Sequence, residues 1–386
     1  MRNIDSACFL ASDAELVVHR GVGVCVGGGL LAWSAPPTPP CPCAQPELCQ
    51  PVKTPPRKEI FVFAVKNDTW KHYDWDRVTT VVMFGFYSAE LMCYAHSKGA
   101  RVVLKGDIKA EDVPHLYEPR FRDDWVTNKV SLMIKQHMDG INIDIEQPIP
   151  ATDPARDGLT KLVNETTWVF HAINKAAQVT FDVAWSPDCI DGRCYDIVNI
   201  AKSCDFLFVM SYDERSQITG PCVASANSAL ETTLGGYEEY LKMGIPPDQL
   251  VMGVPWYGYD YPCLDLSKDD VCSIKKVPFR GAPCSDAAGR QVDFKDIMRL
   301  MGNSSRKWSD IFKSPYFNFQ EGGITHQMWF DDPVSLQYKY GWALKQGLRG
   351  VGMWHGDTLD YVTSDPEVKD QTQAMWDCLP QYHKTS

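Results

Sequence analysis

Eight short apolar runs, alternating with longer amphipathic stretches, predict an α/β protein whose parallel strands close into a (β/α)8 TIM barrel. The number of runs, their enrichment in β-branched residues and their spread over about 330 residues support this fold class. The runs are Ile60–Val65, Val78–Phe84, Arg101–Leu104, Ile141–Ile145, Val179–Ala184, Phe206–Met210, Leu250–Val254 and Gly350–Met353. A doubly wound open sheet is the alternative that this pattern alone leaves open.

The stretches between the runs have the features of helices. Leu159–Ala177 carries apolar residues near helical spacing, among them Leu162, Val163 and Phe170. Asp332-Pro333 combines an N-cap residue with a proline at the first helical position, which predicts that a helix begins there. Strands that alternate with helices in this way form a parallel sheet.

One connection departs from the alternation of strands and helices. Residues 260–327 lack clear periodicity and carry Cys263, Cys272 and Cys284. We interpret this segment as an insertion after the seventh strand, folded back beside the top of the barrel. The predicted organisation is therefore one barrel over residues 37–386 that contains this insertion.

The residues before the barrel predict a leader. Gly21–Trp33 is apolar, follows Arg20 and ends near small residues at the spacing that signal peptidase accepts. The upstream acidic residues are unusual for a signal peptide, so residues 1–36 are predicted to be either a signal-like or a disordered leader. Pro36–Pro56 is rich in proline and cysteine and is typical of an extended lead-in.

The composition is that of a globular protein and excludes some classes of partner. The chain has 386 residues, of which 44% are hydrophobic and 23% are charged. The formal net charge is -11 and no stretch is rich in lysine or arginine, so nucleic acid is not expected as a partner. No apolar run is long enough for a transmembrane helix, so no membrane partner is expected, and we predict a monomer.

Fourteen cysteines are many for a cytosolic protein of this length. Cys41-Pro42-Cys43 lacks the downstream partners of a zinc site. Two close pairs predict short disulfide loops: Cys189/Cys194 and Cys263/Cys272. Three glycosylation sequons begin at Asn67, Asn164 and Asn303. Cysteines and sequons together favour the secretory pathway.

The segment Asp139–Gln147, which reads Asp-Gly-Ile-Asn-Ile-Asp-Ile-Glu-Gln, carries the strongest functional signal. Its isoleucines share one face of a strand, whereas Asn142, Asp144 and Glu146 share the other. In a barrel the polar face points inward, and it lies at the strand end where barrel active sites form. An exposed edge strand with a solvated polar face is the alternative.

Asp144 and Glu146 predict acid catalysis by a pair of carboxyl groups. Because they share one strand face, they cannot easily act as the acid and the opposed nucleophile of an ordinary glycosidase. Two neighbouring carboxyls cannot readily both ionise, so one retains a proton near neutral pH. We expect Glu146 to donate the proton and Asp144 to tune it, while the attacking oxygen comes from water, another strand or the substrate.

Asp139-Gly140-x-Asn142-x-Asp144-x-Glu146 resembles the fourth-strand signature of glycoside hydrolase family 18, Asp-Gly-x-Asp-x-Asp-x-Glu. Met210-Ser211-Tyr212-Asp213 is similar to the sixth-strand motif of that family, Met-x-Tyr-Asp. Trp354 stands where the family places the tryptophan beneath the sugar, and Trp185-Ser186-Pro187 fits the end of the fifth strand. The resemblance spans residues 58–378.

The resemblance implies substrate-assisted retaining hydrolysis, in which the 2-acetamido carbonyl of the substrate attacks the anomeric carbon. No metal or organic cofactor is then required. Glu146 would act as the general acid and then as the base, Asp144 would orient the acetamido group, and Tyr212 would hydrogen-bond it. The predicted substrate-binding residues are Asn142, Trp185, Met210, Asp213 and Trp354.

Two positions depart from the family pattern. Asn142 replaces an aspartate and removes one charge, so we expect a simpler proton relay, retained activity and an altered pH profile. Leu104-Lys105-Gly106-Asp107 stands where the third strand usually ends in Ser-x-Gly-Gly. The charge that it brings to the mouth of the site disfavours a long chitin groove.

Asn142, the Cys-Pro-Cys lead-in and the run Val254–Asp260 together resemble a lysosomal branch of the family. That branch splits the GlcNAcβ1-4GlcNAc core of Asn-linked glycans and releases the reducing-end sugar. The expected partners are therefore GlcNAc-containing oligosaccharides from Asn-linked glycoproteins, and the expected location is the lysosome. The alternatives are a chitin-binding, lectin-like barrel without turnover, which the two carboxyls disfavour, and an endo-acting chitinase.

Overall fold

The computed structural model of the chain describes residues 41–382, with the exception of 44, 56, 218, 219 and 303. The predicted leader, residues 1–36, lies outside the described residues, and so does Asn303 of the third sequon.

The described part of the chain contains fifteen strands and eight α-helices. The strands are β1 (Glu59–Ala64), β2 (Thr80–Met83), β3 (Arg101–Gly106), β4 (Gly140–Ile143), β5 (Gln178–Ala184), β6 (Phe206–Met210), β7 (Leu250–Pro255), β8 (Tyr257–Pro262), β9 (Asp265–Leu266), β10 (Cys272–Ser273), β11 (Arg290–Asp293), β12 (Lys307–Ser309), β13 (Ser314–Glu321), β14 (Ile324–Trp329) and β15 (Gly350–Trp354). The helices are α1 (Ala89–Ser97), α2 (Pro119–Lys135), α3 (Pro154–Ile173), α4 (Ile197–Ser203), α5 (Leu230–Lys242), α6 (Phe294–Met301), α7 (Pro333–Gln346) and α8 (Pro366–Asp377).

Eight of these strands form a closed parallel barrel, in the order β1-β15-β7-β6-β5-β4-β3-β2. The closure is made by β1 and β15, which pair in parallel from Glu59↔Gly350 to Val62↔Met353. The predicted (β/α)8 barrel is therefore confirmed. The open doubly wound sheet is excluded because its edge strands would not pair with each other.

The two faces of each barrel strand pack into different cores. In β1, Ile60 and Val62 belong to the core between barrel and helices, whereas Phe61 and Phe63 point into the barrel interior. The interior is filled by an aromatic group made of Phe61, Phe63, Phe206 and Phe208. A Cβ atom at Gly253 would lie 2.4 Å from the Phe208 ring, so the glycine makes room for it. The interior is thus a packed core rather than a channel.

Two helices begin directly after N-cap residues that are followed by a proline. α7 begins at Pro333 as predicted, because the Asp332 side chain accepts hydrogen bonds from the backbone at positions 334 and 335. α3 begins earlier than the apolar stretch Leu159–Ala177 indicates. The Asp153 side chain accepts from Ala155 N, and a proline stands at the first helical position, so the helix already begins at Pro154.

The chain between β7 and α7 forms a second sheet instead of an irregular loop. Its five strands are antiparallel, in the order β11-β8-β14-β13-β12, and a short hairpin pairs β9 with β10. The predicted insertion, residues 260–327, lies within this segment, which runs from Tyr257 to Trp329. Its strands are short and antiparallel, so they do not repeat the alternation of the barrel. The sheet carries Gln291 and two tyrosines of β8 to the top of the barrel.

Five disulfides connect described cysteines, and they include both predicted short loops. They are Cys41–Cys93, Cys43–Cys49, Cys189–Cys194, Cys222–Cys284 and Cys263–Cys272. Cys204 and Cys378 are buried free thiols. Among the described residues, every helix is too short or too polar to cross a membrane.

Candidate active site

The signature segment begins with two structural residues. The Asp139 carboxylate accepts hydrogen bonds from Val52 N and Val102 N, at 2.7 and 2.6 Å, and contacts the His96 ring. A Cβ atom at Gly140 would lie 1.9 Å from the Gln178 carbonyl oxygen. Asp139 therefore attaches the start of β4 to its surroundings, and Gly140 allows the close approach of β5.

The carboxyl pair lies just beyond the end of β4. The strand ends at Ile143, two residues earlier than predicted, and Asp144 N makes a further hydrogen bond to the Gly106 carbonyl at 2.7 Å. The alternation of side chains continues past this point, because Ile145 is fully buried while Glu146 is exposed. Asp144 and Glu146 thus project at the carboxyl end of the barrel, where barrel active sites lie.

A cavity of about 250 Å³ opens at this end of the barrel. Six of the eight predicted site residues line it: Asp144, Glu146, Met210, Tyr212, Asp213 and Trp354. Four residues that the sequence did not single out line it as well: Phe63, Phe84, Asp182 and Gln291. The cavity therefore combines carboxyl groups with an aromatic wall, in which the Phe84 and Phe63 rings lie 4.8 and 5.2 Å from Trp354.

Two of the predicted site residues do not line the cavity. Asn142 is fully buried, and its amide nitrogen donates to Thr180 Oγ1 at 3.0 Å and to Asp182 Oδ1 at 2.6 Å. Trp185 follows β5, and its backbone carbonyl packs closely against Gly236 of α5. The Asn142 side chain thus lies in the barrel interior beneath the cavity, and Trp185 lies at the contact between the end of β5 and α5.

Asp144 is in a charge environment that favours its neutral form. Burial is the main cause that raises the pKa of Asp144 to about 7, and the nearby charge of Glu146 adds to it. Lys105 acts in the opposite direction, with its Nζ 3.7 Å from Asp144 Oδ2. The same ammonium group lies 4.1 Å from the centre of the Phe84 ring. Asp144 therefore carries a proton below neutral pH.

Glu146 is paired with a cation from the loop after β5. Arg193 Nη1 donates to Glu146 Oε2 at 2.8 Å, and Arg193 Nη2 donates to Asp191 at 3.1 Å. Arg193 belongs to the loop that the Cys189–Cys194 disulfide closes. Directly after this loop, the Tyr195 hydroxyl donates to the carbonyl oxygens of Ile145 and Gln147 at 3.0 and 2.6 Å, so it supports the backbone around Glu146.

Whereas Glu146 is paired with a cation, Asp213 accepts hydrogen bonds from uncharged hydroxyl groups. Its Oδ1 accepts from the hydroxyls of Tyr257 at 2.6 Å and Tyr259 at 3.2 Å, and both tyrosines belong to β8. Burial raises the pKa of Asp213 to about 7, and the two hydroxyls partly offset that effect. The adjacent Tyr212 is buried, and burial raises the pKa of its hydroxyl, so Tyr212 is a neutral hydrogen-bond donor.

One group of potential metal ligands in the described part of the chain lies away from this cavity, on the inserted sheet. Asp260, Glu321 and His326 bring their side-chain ligand atoms close together. Arg290 already binds both carboxylates, with Nε 2.7 Å from Asp260 and Nη2 3.0 Å from Glu321. The group is therefore an ion-pair network centred on an arginine.

The residues that the sequence prediction missed differ in the signals they left. Asp182 alternates with Gln178 and Thr180 along β5, the same polar period that identified β4, so this signal was available. Arg193 and Gln291 stand in segments without such a period. Only the folding of a loop and of the inserted sheet over the barrel brings these two side chains to the site.

Comparison with known proteins identifies the family and agrees with the fold. The family model "Glycosyl hydrolases family 18" matches residues 60–358. The di-N-acetylchitobiase of Homo sapiens is 54% identical over 342 residues, which cover 88% of each chain. A probable di-N-acetylchitobiase of Dictyostelium discoideum is 39% identical over 362 residues, or 90% of this chain and 91% of that protein.

Solved structures show the same fold at low sequence identity. A class V chitinase from Nicotiana tobaccum is 16% identical, with a TM-score of 0.66 over 83% of this chain and 99% of that chain. A family 18 chitinase from Cycas revoluta, solved with (GlcNAc)3, is 18% identical, with a TM-score of 0.65 over 83% and 99% of the two chains. Sequence, barrel and carboxyl pair agree, and this chain is a glycosidase that belongs to glycosyl hydrolase family 18.

Proposed function

We propose that the protein cleaves the GlcNAcβ1-4GlcNAc linkage in the chitobiose core of Asn-linked glycans and releases the reducing-end GlcNAc. The observation that carries this proposal is the pair Asp144 and Glu146 at the mouth of a small cavity, in a chain 54% identical to human di-N-acetylchitobiase. At about 250 Å³ the cavity is below the range of roughly 300–1,000 Å³ typical of ligand sites, which suits the end of a short glycan better than a long chain.

In the proposed mechanism the proton starts on Asp144. Glu146 leaves its ion pair with Arg193 when the substrate enters, and the proton then passes from Asp144 to Glu146. The O–H bond of Asp144 breaks and that of Glu146 forms, so Glu146 becomes the general acid and Asp144 the carboxylate. Because the pKa of Asp144 is about 7, this proton is available in acidic solution.

The substrate supplies the nucleophile. Its acetamido carbonyl attacks the anomeric carbon while Glu146 protonates the leaving oxygen, and the resulting oxazolinium ring is then opened by water with Glu146 as base. We assign Asp144 to the developing positive charge, Tyr212 to the acetamide and Trp354 to the face of the sugar. We assign sugar contacts to Asp213 and Met210 as well, because both line the cavity, from the end of β6 and the residues after it.

We also propose that the protein works in the lysosome. Five disulfides among the described residues are typical of a protein that folds in the secretory pathway. The sequon asparagines Asn67 and Asn164 are exposed, so both are accessible to glycosylation. The raised pKa values of Asp144 and Asp213 suit an acidic compartment, because both carboxyls retain protons there.

Product analysis of a substitution at the acid tests the proposed function. An oligosaccharide that ends in GlcNAcβ1-4GlcNAc, labelled at the reducing end, is incubated at pH 5 with wild type, Glu146→Gln and Glu231→Gln. Glu231 is exposed on α5 and serves as the matched control. We expect labelled monosaccharide from wild type and the control, and a kcat lower by about 10²- to 10⁴-fold for Glu146→Gln, because glutamine cannot donate the proton.

Other products would overturn parts of the proposal. Equal release by Glu146→Gln would remove Glu146 from the mechanism. Release of shorter chitin-type fragments would indicate an endo-acting chitinase. Binding of the oligosaccharide without release by any of the three proteins would indicate a lectin.

A further inference from the structure

Asp182 carries a carboxyl group inside the barrel that has no role in the mechanism proposed above. It lies on β5, is only 3% exposed and lines the same cavity as Asp144 and Glu146. A third carboxyl at this depth is costly in its charged form, because the interior offers little solvation. The inference below rests on the proposed function and concerns what Asp182 does for Asp144.

Asn142 fixes the orientation of Asp182. β4 and β5 pair with Asn142 opposite Thr180, so Asp182 follows two residues further along on the same inner face. The Asn142 amide donates to Asp182 Oδ1 at 2.6 Å and so occupies that oxygen. A proton on Asp182 is therefore directed to Oδ2. The carboxyl that the family pattern expects at position 142 is present after all, but on the neighbouring strand.

The groups around Asp182 determine which carboxyl keeps a proton. Asp144 and Glu146 follow β4, Lys105 belongs to β3, and Tyr212 follows β6. The exposed fraction of the side chain falls from 53% for Glu146 to 10% for Asp144, and Asp182 lies deeper still. Since solvation of charge decreases along this series, negative charge is placed most easily at Glu146 and least easily at Asp182.

The pKa shift of Asp182 agrees with its position as the least solvated of the three carboxyls. Burial raises the pKa of Asp182 well above its ordinary value, and the charge of Asp144 raises it further. The hydrogen bond from Asn142 and the positive charge of Lys105 act in the opposite direction but are smaller effects. Burial and the neighbouring negative charge therefore both favour the neutral form of Asp182.

We propose that Asp182 is a positioning residue that stays protonated and donates a hydrogen bond from Oδ2 to Asp144. When the proton of Asp144 passes to Glu146, Asp182 neither gains nor loses a proton. Its O–H group stabilises the new carboxylate of Asp144, which then faces the positive charge of the substrate. A charged Asp182 would instead repel that carboxylate and hold the proton on Asp144.

Two substitutions at position 182 separate this role from a packing role. Asparagine keeps the shape and offers an N–H donor in place of the O–H donor, so we expect Asp182→Asn to retain kcat within about 3-fold and to leave the pH profile in place. Alanine removes the donor, so we expect Asp182→Ala to lower kcat by about 10- to 100-fold. Circular dichroism establishes that each variant is folded, and Asp182→Asn alone remains decisive if the alanine variant does not fold.

Infrared spectroscopy reports the proton on Asp182 directly. A neutral carboxylic acid has a carbonyl stretching band that a carboxylate lacks, so the difference spectrum of wild type minus Asp182→Asn at pH 7 should contain this band. The matched control is Asp188→Asn, an exposed carboxylate a few residues further along the chain, whose difference spectrum should lack the band. Absence of the band at position 182 overturns the proposal.

Kinetic measurements on the same variants can also contradict the proposal. A folded Asp182→Asn variant that is as inactive as Asp182→Ala, or whose pH profile moves to lower pH, would show that Asp182 acts as a charge, and the proposal would be wrong. Failure of wild type to cleave the labelled oligosaccharide would count against the proposed function only, because the infrared band tests the protonation of Asp182 without turnover.

Discussion

The contact between Arg193 and Glu146 shows how one residue sets the resting state of the site. The pair lies at 2.8 Å, but the Glu146 side chain is 53% exposed, so the contact adds little to stability. Its importance is in placing a cation beside the two carboxyls. The positive charge of Arg193 lowers the pKa of Asp144, against the larger effects of burial and of Glu146. Arg193 therefore helps to determine the pH at which the pair loses its proton.

Substitution of Arg193 should move the alkaline limb of the activity profile. Without the cation, the carboxyl pair holds its proton more tightly, so we expect the alkaline limb of kcat/KM for Arg193→Gln to lie up to about one pH unit higher than in wild type. The profile of kcat/KM against pH checks this, with Arg280→Gln as control because Arg280 contacts Asp191 and not Glu146. An unchanged limb in Arg193→Gln would refute the role of Arg193.

At the scale of elements, α5 supports the end of the strand that carries Asp182. The Tyr240 hydroxyl of α5 donates to the Ala184 carbonyl at 2.6 Å. Two adjacent glycines in the helix have different surroundings. A Cβ atom at Gly236 would lie 1.9 Å from the Trp185 carbonyl oxygen, whereas one at Gly235 would meet nothing within 4 Å. Gly236 therefore permits the close packing of α5 on β5, and Gly235 does not contribute to it.

The two glycines form a matched pair for measurement. We expect Gly236→Ala to lower the free energy of unfolding by about 1–3 kcal/mol, because the helix or the end of β5 must move. Gly235→Ala should raise it by about 0.5–1 kcal/mol, because alanine is the better helix former. Urea unfolding of both variants checks this expectation, and equal effects at the two positions would contradict the packing shown by the structure.

At the scale of the whole molecule, buried carboxyls make the free energy of unfolding depend on pH. Burial raises the pKa of Asp144 and Asp213 from 3.8 to about 7, and that of Glu214 from 4.5 to about 8. Between about pH 4 and 8 the folded protein consequently binds more protons than the unfolded chain. His96 acts in the same direction, because its folded pKa is raised and the stability it contributes is lost as pH rises through that value. The fold is therefore suited to acidic solution.

Stability should consequently decrease from pH 5 to pH 8. We expect the free energy of unfolding to fall over this interval by an amount on the order of a few kcal/mol. Urea unfolding at several pH values measures the change, and Glu214→Gln, which removes one raised carboxyl, should reduce its size. A protein that is equally stable or more stable at pH 8 would disagree with this account.

The amino-acid sequence alone predicted the eight strands and the carboxyl pair, whereas the pairing of β1 with β15 decided that the strands close into a barrel. Both predictions depend on local periodicity: eight apolar runs define the strands, and the alternation of Asn142, Asp144 and Glu146 defines an inner face. Asp213 and Trp354 were predicted through the resemblance of the segments at the ends of β6 and β15 to motifs of the family, and not from periodicity. Strand period and chain order are properties of short segments, so they can be read before the chain folds.

Only the tertiary structure decided which residues surround the side chains on the inner face of each barrel strand. Asn142 points inward as expected, but its amide is hydrogen-bonded to Asp182 of the next strand, a third carboxyl that the sequence analysis did not predict at the site. Arg193 reaches Glu146 from a disulfide loop, whereas Trp185 does not line the cavity. The period of a strand specifies the direction of a side chain but not its neighbours, because those depend on the register between strands and on the loops that fold over the barrel.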